Sequence, residues 1–397
     1  MAENERITAI SGLVAEKKEE IIDLRRTFHR YPELSFQEYR TADMIFDRLH
    51  GVPGIEVSRP TETSILAAIK GSMPGKIVAL RGDLDALPIL EENDVPYRSQ
   101  NIGTMHACGH DGHAAMLVGA AKVLAELKSG MKGEIRCIFQ HAEEKHPGGA
   151  KDLVKLGLLN GVDAILTLHL FTSLPVGKIG LATGPLMAAP DNFTISIFGK
   201  GGHAAMPEDT IDPVLVSAQV VTALQNIVSR QISALKSVVL SITNIQGGSA
   251  FNVIPERVDL KGTVRTFDRD TRLEIPKRME NIIKGVCIAY GAKYTFDYEL
   301  GYDPVVNSSS VAGKVTEILK EEFGAKALIK ASPVMWGEDF SAYLHRLPGM
   351  LIFIGAGNKK KGIIHPHHHP CFNIDEEALS IGTRVLACSA LGLLDRM

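Results

Sequence analysis

Cysteine is sparse in this chain and odd in number, five in 397 residues. The five are widely spaced, which argues against the disulfide framework of a small secreted fold and points to a reducing cytoplasm. Neither sign of charge dominates: 43 Lys and Arg against 46 Asp and Glu leave a formal charge of −3. That balance gives no case for nucleic acid or a membrane surface as the main partner. Apolar runs are short, and none reads as the roughly 20 residues that a membrane-spanning helix needs. The first residues are charged and acidic rather than basic and then apolar, so no secretory signal is expected. Internal repeats and low-complexity tracts are missing too, apart from the short basic Lys359–Lys361, which reads as a solvated loop. What is left has the composition of a soluble globular protein, 45% hydrophobic and 22% charged, and enough length for two domains.

Ligand-type residues are what the chain does have, and they are concentrated. Met105–His113 reads Met-His-Ala-Cys-Gly-His-Asp-Gly-His, three imidazoles, a thiol and a carboxylate in one short stretch. A thiol and an imidazole two apart, Cys108 and His110, suit a borderline-soft cation such as zinc. Ala107 and Gly109 let the backbone turn so that both converge, and Asp111 stands where the N-cap of a helix over Ala114–Leu127 is expected. A lone Cys and His would be core and solvent residues; their density here favours a metal.

Along the chain, Lys17–His29 and Thr41–Leu49 have helical spacing, and Tyr31 before Pro32 stops the first. Thr63–Ile69, Lys76–Leu80, Ile135–Phe139 and Asp163–His169 read as strands. They run into Arg81-Gly82-Asp83-Leu84-Asp85, into His141-Ala142-Glu143-Glu144, and into His169 itself. Strands alternating with helices imply an α/β fold with a largely parallel sheet, whose sites gather at the carboxyl ends of strands. From Pro190 to about Leu300 the strands Phe193–Phe198, Ser237–Ile242, Arg257–Phe267 and Lys293–Tyr298 alternate. With helical runs at Asp212–Ser229 and Thr271–Tyr290 they give a β-α-β-β-α-β order, an inserted α+β domain. The expected division is 1–189 with 301–397, and 190–300. After Asp303 come a helix over Ser309–Phe323, a turn at Trp336–Phe340, a buried strand Leu351–Ile354, the cluster His365–His369 and a last helix Asp375–Leu391.

Glu143 and Glu144 carry the second signal. Neighbouring residues after a strand point different ways, so one can bind metal while the other faces a water whose pKa the metal lowers. That second carboxylate then serves as general base. Two surface acids would be the ordinary reading of such a pair alone. His169 alone would be a hydrogen-bonded core histidine, and of the His365–His369 cluster only one ring need reach a site.

These residues, in this order, resemble the amidohydrolase branch of the zinc aminoacylase/carboxypeptidase superfamily, which includes bacterial aminoacylases, hippurate hydrolases and plant auxin-conjugate hydrolases. The likeness runs from Phe28-His29-Arg30-Tyr31-Pro32-Glu33-Leu34 to His368-His369-Pro370-Cys371-Phe372. The resemblance implies a zinc-peptidase-like catalytic domain with an inserted lid and dimerisation domain. It implies five metal ligands, Cys108, His110, Glu144, His169 and His368, around two divalent ions per subunit, zinc first and manganese, cobalt or nickel as alternatives. It makes Glu143 the general base and Asp85 the acid that orients a metal-site imidazole. His203, in Gly199–Ala205, would reach a neighbouring subunit's active site and hold the oxyanion. Asn252 and Arg265 would contact substrate, the guanidinium taking an α-carboxylate, although Arg265 also reads as a surface charge on an exposed sheet face. One departure is His141, where relatives commonly have proline. His106 and His113 lie near enough to be mistaken for ligands, and His113, three after His110, can exchange roles with it.

The expectation is therefore a cytoplasmic metal-dependent amidohydrolase of N-acyl amino acids, a homodimer or dimer-based oligomer without nucleic-acid or membrane partners. A dipeptidase or carboxypeptidase using the same apparatus is the nearest alternative. A metal-storing or peptide-binding protein is another, against which Glu143 argues.

Overall fold

Val78, Ala79 and Leu80 are fully buried in the middle of the strand Met73–Asp83, in a computed structural model that describes residues 3–397. Burial on both faces is what a central parallel strand requires. Met73–Asp83 pairs in parallel with Lys132–Gln140 on one side and Ala164–Pro175 on the other, and Gly349–Gly357 continues in parallel beyond Ala164–Pro175. The edges of this eight-stranded sheet depart from the largely parallel expectation. Glu56–Thr61 and Ser64–Lys70 form an antiparallel hairpin against Lys132–Gln140. Ile179–Leu181 runs antiparallel to Gly349–Gly357, with Leu328–Lys330 outside it. A tight turn can only reverse a strand, whereas a parallel return needs a long crossover. The sheet is mixed around a parallel centre, and the class is α/β.

Two helices cover the centre of the sheet, His110–Glu126 and the terminal Glu377–Arg396. Glu377–Arg396 is long and apolar enough to cross a membrane by length and composition, longer than the sequence reading allowed. Nearly every residue from Ala378 to Leu394 is buried, however, as in a helix that is apolar all round because it fills a core. Gly382 makes close packing possible: a Cβ there would lie 2.1 Å from Met116 Sδ. Arg384, its interior charge, pairs with Glu322.

Register sets the site. Gln140 lies beside Asp83, and Arg81 lies beside Thr167, which brings His169, two residues on, into the same row. The strand carrying His169 runs on to Pro175 instead of ending there, so His169 sits where its neighbours end. Beneath this row Arg81 is fully buried. Its guanidinium donates to Asp83 Oδ2 (2.6 Å), Asp339 Oδ1 (2.8 Å) and Gln140 Oε1 (2.9 Å). Gln140 Nε2 and the Ala150 N–H also donate to Asp339, and Tyr343 Oη donates to Gln140.

The second unit comprises Met187–Val305 with Pro333–Glu338. Its four strands, Val238–Gly247, Arg257–Thr266, Ala189–Phe198 and Lys293–Glu299, lie in that order, all antiparallel. Phe193, Ile195, Ile197, Val258, Leu260 and Val264 form one apolar face, which the helices Pro213–Asn226 and Arg269–Tyr290 cover. Asp191 anchors this unit by accepting from Arg272 Nε and Nη2, Tyr298 Oη and the Gly301 N–H. The Trp336 segment belongs here as well, because Met187 bridges to Val334 and Ala188 N–H donates to Trp336 O.

Arg81 is the guanidinium that compensates the charges of two buried carboxylates, Asp83 and Asp339. Arg81→Met is expected to destabilise the protein by about 3–5 kcal/mol, the usual effect of removing one partner of a buried ion pair, measured as a shift in the urea midpoint.

Candidate metal centre

Gly109 precedes the helix His110–Glu126 with φ +94°, a left-handed conformation that glycine adopts without steric cost. It is the cap residue, so the expected N-cap role of Asp111 is wrong. Asp111 lies within the first turn, fully buried, and accepts from Arg25 Nε (2.7 Å), His29 Nδ1 (2.8 Å) and the Gly112 N–H (2.9 Å). His29 Nε2 meets Glu91 at 3.0 Å. Burial works against the charge on Asp111, but Arg25 and His29 outweigh it and hold the carboxyl far below its usual range. This buried network fixes the start of the helix, and His110 with it.

The five expected ligands converge in two groups that share the thiol. Donor atoms of Cys108, His110 and His169 lie within 4.8 Å of one another, and so do those of Cys108, Glu144 and His368. His169 Nδ1 donates to Leu170 O (2.8 Å), which leaves Nε2 facing Cys108 Sγ at 3.6 Å. His110 Nδ1 donates to Asp85 O (2.9 Å). Its Nε2 is buried without a hydrogen-bond partner, 3.9 Å from both Asp83 Oδ2 and Glu144 Oε1. Glu144 Oε1 is likewise buried and without a hydrogen bond, 3.3 Å from His368 Nε2. His368 holds φ +64°, a strained backbone for a non-glycine residue, and its N–H is fixed on Ala107 O (2.8 Å).

Buried polar atoms without hydrogen-bond partners, here His110 Nε2 and Glu144 Oε1, are costly unless a cation sits among them. One thiol, three imidazoles and a carboxylate suit zinc and its neighbours, so these residues fit a metal. Burial first, then the Glu144, Glu143 and Asp83 charges, push the Cys108 thiol well above its usual range; a cation opposes all of them. Burial pulls His110 down, but the Asp83 charge and the Asp85 hydrogen bond carry it up to about 10, a proton that a cation must displace.

Asp85 has a wider task than orienting an imidazole. Its carbonyl accepts a hydrogen bond from His110 Nδ1, while its carboxylate accepts from the Glu143 N–H (3.0 Å), the Glu144 N–H (2.9 Å) and the Ser35 hydroxyl (2.6 Å). Glu143 is buried, shares a 4.8 Å cluster with His110 and Glu144, and its Oε1 accepts from Asp339 N–H at 3.4 Å. Ser35, Asp339 and Glu38 escaped the sequence reading. Of these only Asp339, in the Trp336–Phe340 turn, lay inside a stretch singled out there. The ambiguous histidines separate cleanly. His113 Nδ1 meets Asp83 Oδ1 (2.6 Å) and its Nε2 accepts the Leu170 N–H (2.9 Å), so it braces the His169 strand and does not exchange roles with His110. His106 is buried with neither ring nitrogen hydrogen-bonded, and burial pushes it down to about 4. His141 packs edge-on against Phe36, ring centroids 5.7 Å apart. His367 Nε2 donates to Leu170 O (2.8 Å).

In the second unit His203 and Asn252 are neighbours: His203 pairs with Val253, and Ala204 N–H donates to Asn252 O (3.1 Å). His203 is exposed, and its Nδ1 accepts the Ala205 N–H (3.0 Å), so its proton is on Nε2. Arg265 lies near the far end of Arg257–Thr266, half-buried, with Nη1 buried and without a hydrogen-bond partner.

Glu38 holds the Ala142–Glu144 loop from beneath, its Oε1 accepting the Ala142 N–H (2.7 Å) and the Phe36 N–H (3.1 Å). Burial, then the Asp85 charge, raise it to about 8. The folded chain thus keeps a proton that the unfolded chain releases near its ordinary pKa of 4.5, and stability falls as pH rises through that window. Glu38→Gln is expected to flatten this dependence between about pH 4.5 and 8, measured by chemical denaturation across the range.

The profile of Peptidase family M20/M25/M40 matches residues 79–391. An N-acyl-L-amino acid amidohydrolase of Geobacillus stearothermophilus is 52% identical over 298 residues, 75% of this chain and 80% of the relative. Thermostable carboxypeptidase 1 of Saccharolobus solfataricus is 40% identical over 382 residues, 95% of this chain and 96% of the relative. The crystal structure of a dinuclear metal-binding M20 peptidase from Bacillus subtilis matches with a TM-score of 0.83 and 36% identity, over 96% of this chain and all of that one. With a profile match across most of its length and relatives this close, the chain belongs to Peptidase family M20/M25/M40.

Proposed function

We propose that this protein is a metal-dependent amidohydrolase that cleaves the amide between an acyl group and an amino acid, releasing a carboxylic acid and the free amino acid. The observation that carries the reading is Glu143, a buried carboxylate beside a donor set that is complete without it. A storage or binding site needs no such group. The amidohydrolase name of the Geobacillus relative supports the substrate class, and the dinuclear Bacillus neighbour supports two ions per subunit. Five free cysteines accord with a cytoplasmic location.

Cys108, His110, Glu144, His169 and His368 would hold the ions, zinc in this reading, which when bound supply the Lewis acidity that polarises the scissile carbonyl and acidifies water. Glu143 takes the water's proton and passes it to the departing amine nitrogen as the C–N bond breaks. Asp85 positions that base and the ligand beside it through their two backbone N–H groups. The Nε2–H of His203 from a second copy donates to the oxyanion, with Asn252 beside it. The unpaired Nη1 of Arg265 suits a substrate carboxylate.

Strand geometry bears on the oligomer. Arg265 is about 26 Å along its strand from Arg257, the end nearer His203 and Asn252. An N-acyl amino acid spans roughly 7 Å, the length of two residues. Within one copy the two groups therefore meet different substrates, which supports a homodimer that shares its sites.

Glu143→Gln is expected to keep its metal by elemental analysis while kcat falls by about 10²–10⁴; near-normal turnover refutes the assignment. Mixing inactive Glu143→Gln protein with inactive His203→Ala protein should restore about a quarter of wild-type activity through one intact site per mixed dimer. No recovery after subunit exchange removes His203 from the partner's site. The carboxypeptidase name of the archaeal relative favours a second reading, hydrolysis of short peptides. N-acetyl amino acids, N-benzoylglycine and dipeptides assayed side by side decide: the first two should show the higher kcat/KM.

A further inference from the structure

The turn that presents His368 carries a second set of metal-ligand side chains outside the centre just described. His365, His369 and Cys371 are all half-buried, and one donor atom of each lies within 4.8 Å of the others. The His365 and His369 rings stack, centroids 4.4 Å apart and 16° between planes. His369 Nδ1 is an unprotonated nitrogen on the Cys371 side, since it accepts the Cys371 N–H at 3.0 Å; a cation can take that lone pair in place of the N–H. An oxygen donor stands at the rim, with Glu92 Oε2 4.0 Å from Cys371 Sγ.

The backbone under these groups is anchored at several points. Thr172 Oγ1 donates to His365 O (3.0 Å), and the N–H groups of His368, Phe372 and Glu92 donate to the carbonyls of Ala107, His369 and Pro370. Tetrahedral zinc with bonds near 2.0–2.3 Å sets its donors about 3.3–3.8 Å apart. Closing from 4.8 Å asks movements of about 1 Å of solvent-facing side chains.

We propose that His365, His369 and Cys371, with Glu92 completing the set, bind one further divalent cation of the zinc class, separate from the centre built on Cys108. Thiolate with imidazole and one carboxylate selects zinc or cadmium over magnesium or calcium. An ion there ties together residues on both sides of His368. The inference does not depend on the reaction proposed above.

Cys371 is the only one of the five cysteines that is not buried, so a maleimide on the native, untagged chain reads this thiol. Cadmium or zinc, added beyond what saturates the Cys108 centre, is expected to slow labelling by at least about tenfold, because a coordinated thiolate is no longer a free nucleophile. His365→Ala should abolish the protection. Elemental analysis after dialysis should find one equivalent fewer in Cys371→Ser than in wild type. The same protection is expected in Glu143→Gln, whatever becomes of turnover. Equal metal content in wild type and Cys371→Ser overturns the proposal, and so does protection that persists in His365→Ala, since a thiol acting alone would then account for it.

Discussion

One buried carboxylate holds the candidate centre together. Asp85 grips the backbone of Glu143 and Glu144 with its two oxygens and the His110 ring with its carbonyl, so three residues of the candidate site are positioned by one. Burial disfavours its charge, but the His110 and Ser35 hydrogen bonds and the Glu144 N–H keep it ionised below the usual carboxylate range. Asp83, Asp85, Glu143 and Glu144 together outnumber the positive groups in their midst. Such an excess of buried negative charge is sustainable where cations are part of the fold's design.

Around Asp85 lie two further ionic clusters, each joining segments far apart in sequence. Arg81 ties Asp83 to Asp339, and Arg25 ties Asp111 to the segment that precedes the final helix through Asn373. Both guanidiniums are inaccessible to water. A site whose ligands come from loops needs such support, because a displacement of an ångström at one donor loosens the whole set.

Adjacency made much of this legible. Cys108 with His110, and Glu143 with Glu144, announce themselves because the chemistry they share is written in consecutive residues. Buried apolar strands gave the parallel centre, and alternation gave the antiparallel second unit. Partnerships that depend on register were not legible. Nothing near Asp339 in sequence says that it will face Arg81, 258 positions away. Ile179–Leu181 is too short to show its direction. Asp111 looked like a cap because its type and place fit one; that the cap is a left-handed glycine follows from the turn His110 must make. Asn252 and Arg265 read as equivalent substrate contacts until the strand between them is laid out at full length.

The position of the terminal helix has a consequence for how the polypeptide matures. Glu377–Arg396 is synthesised after every strand it covers, some of them made hundreds of residues earlier, and Gly349–Gly357 completes the sheet only shortly before it. The second unit closes its own four strands by Glu299. On the ribosome that unit can be finished while the apolar sheet beneath the candidate metal centre still waits for its cover, so the larger unit is completed later and keeps its apolar surface open to chaperones for longer.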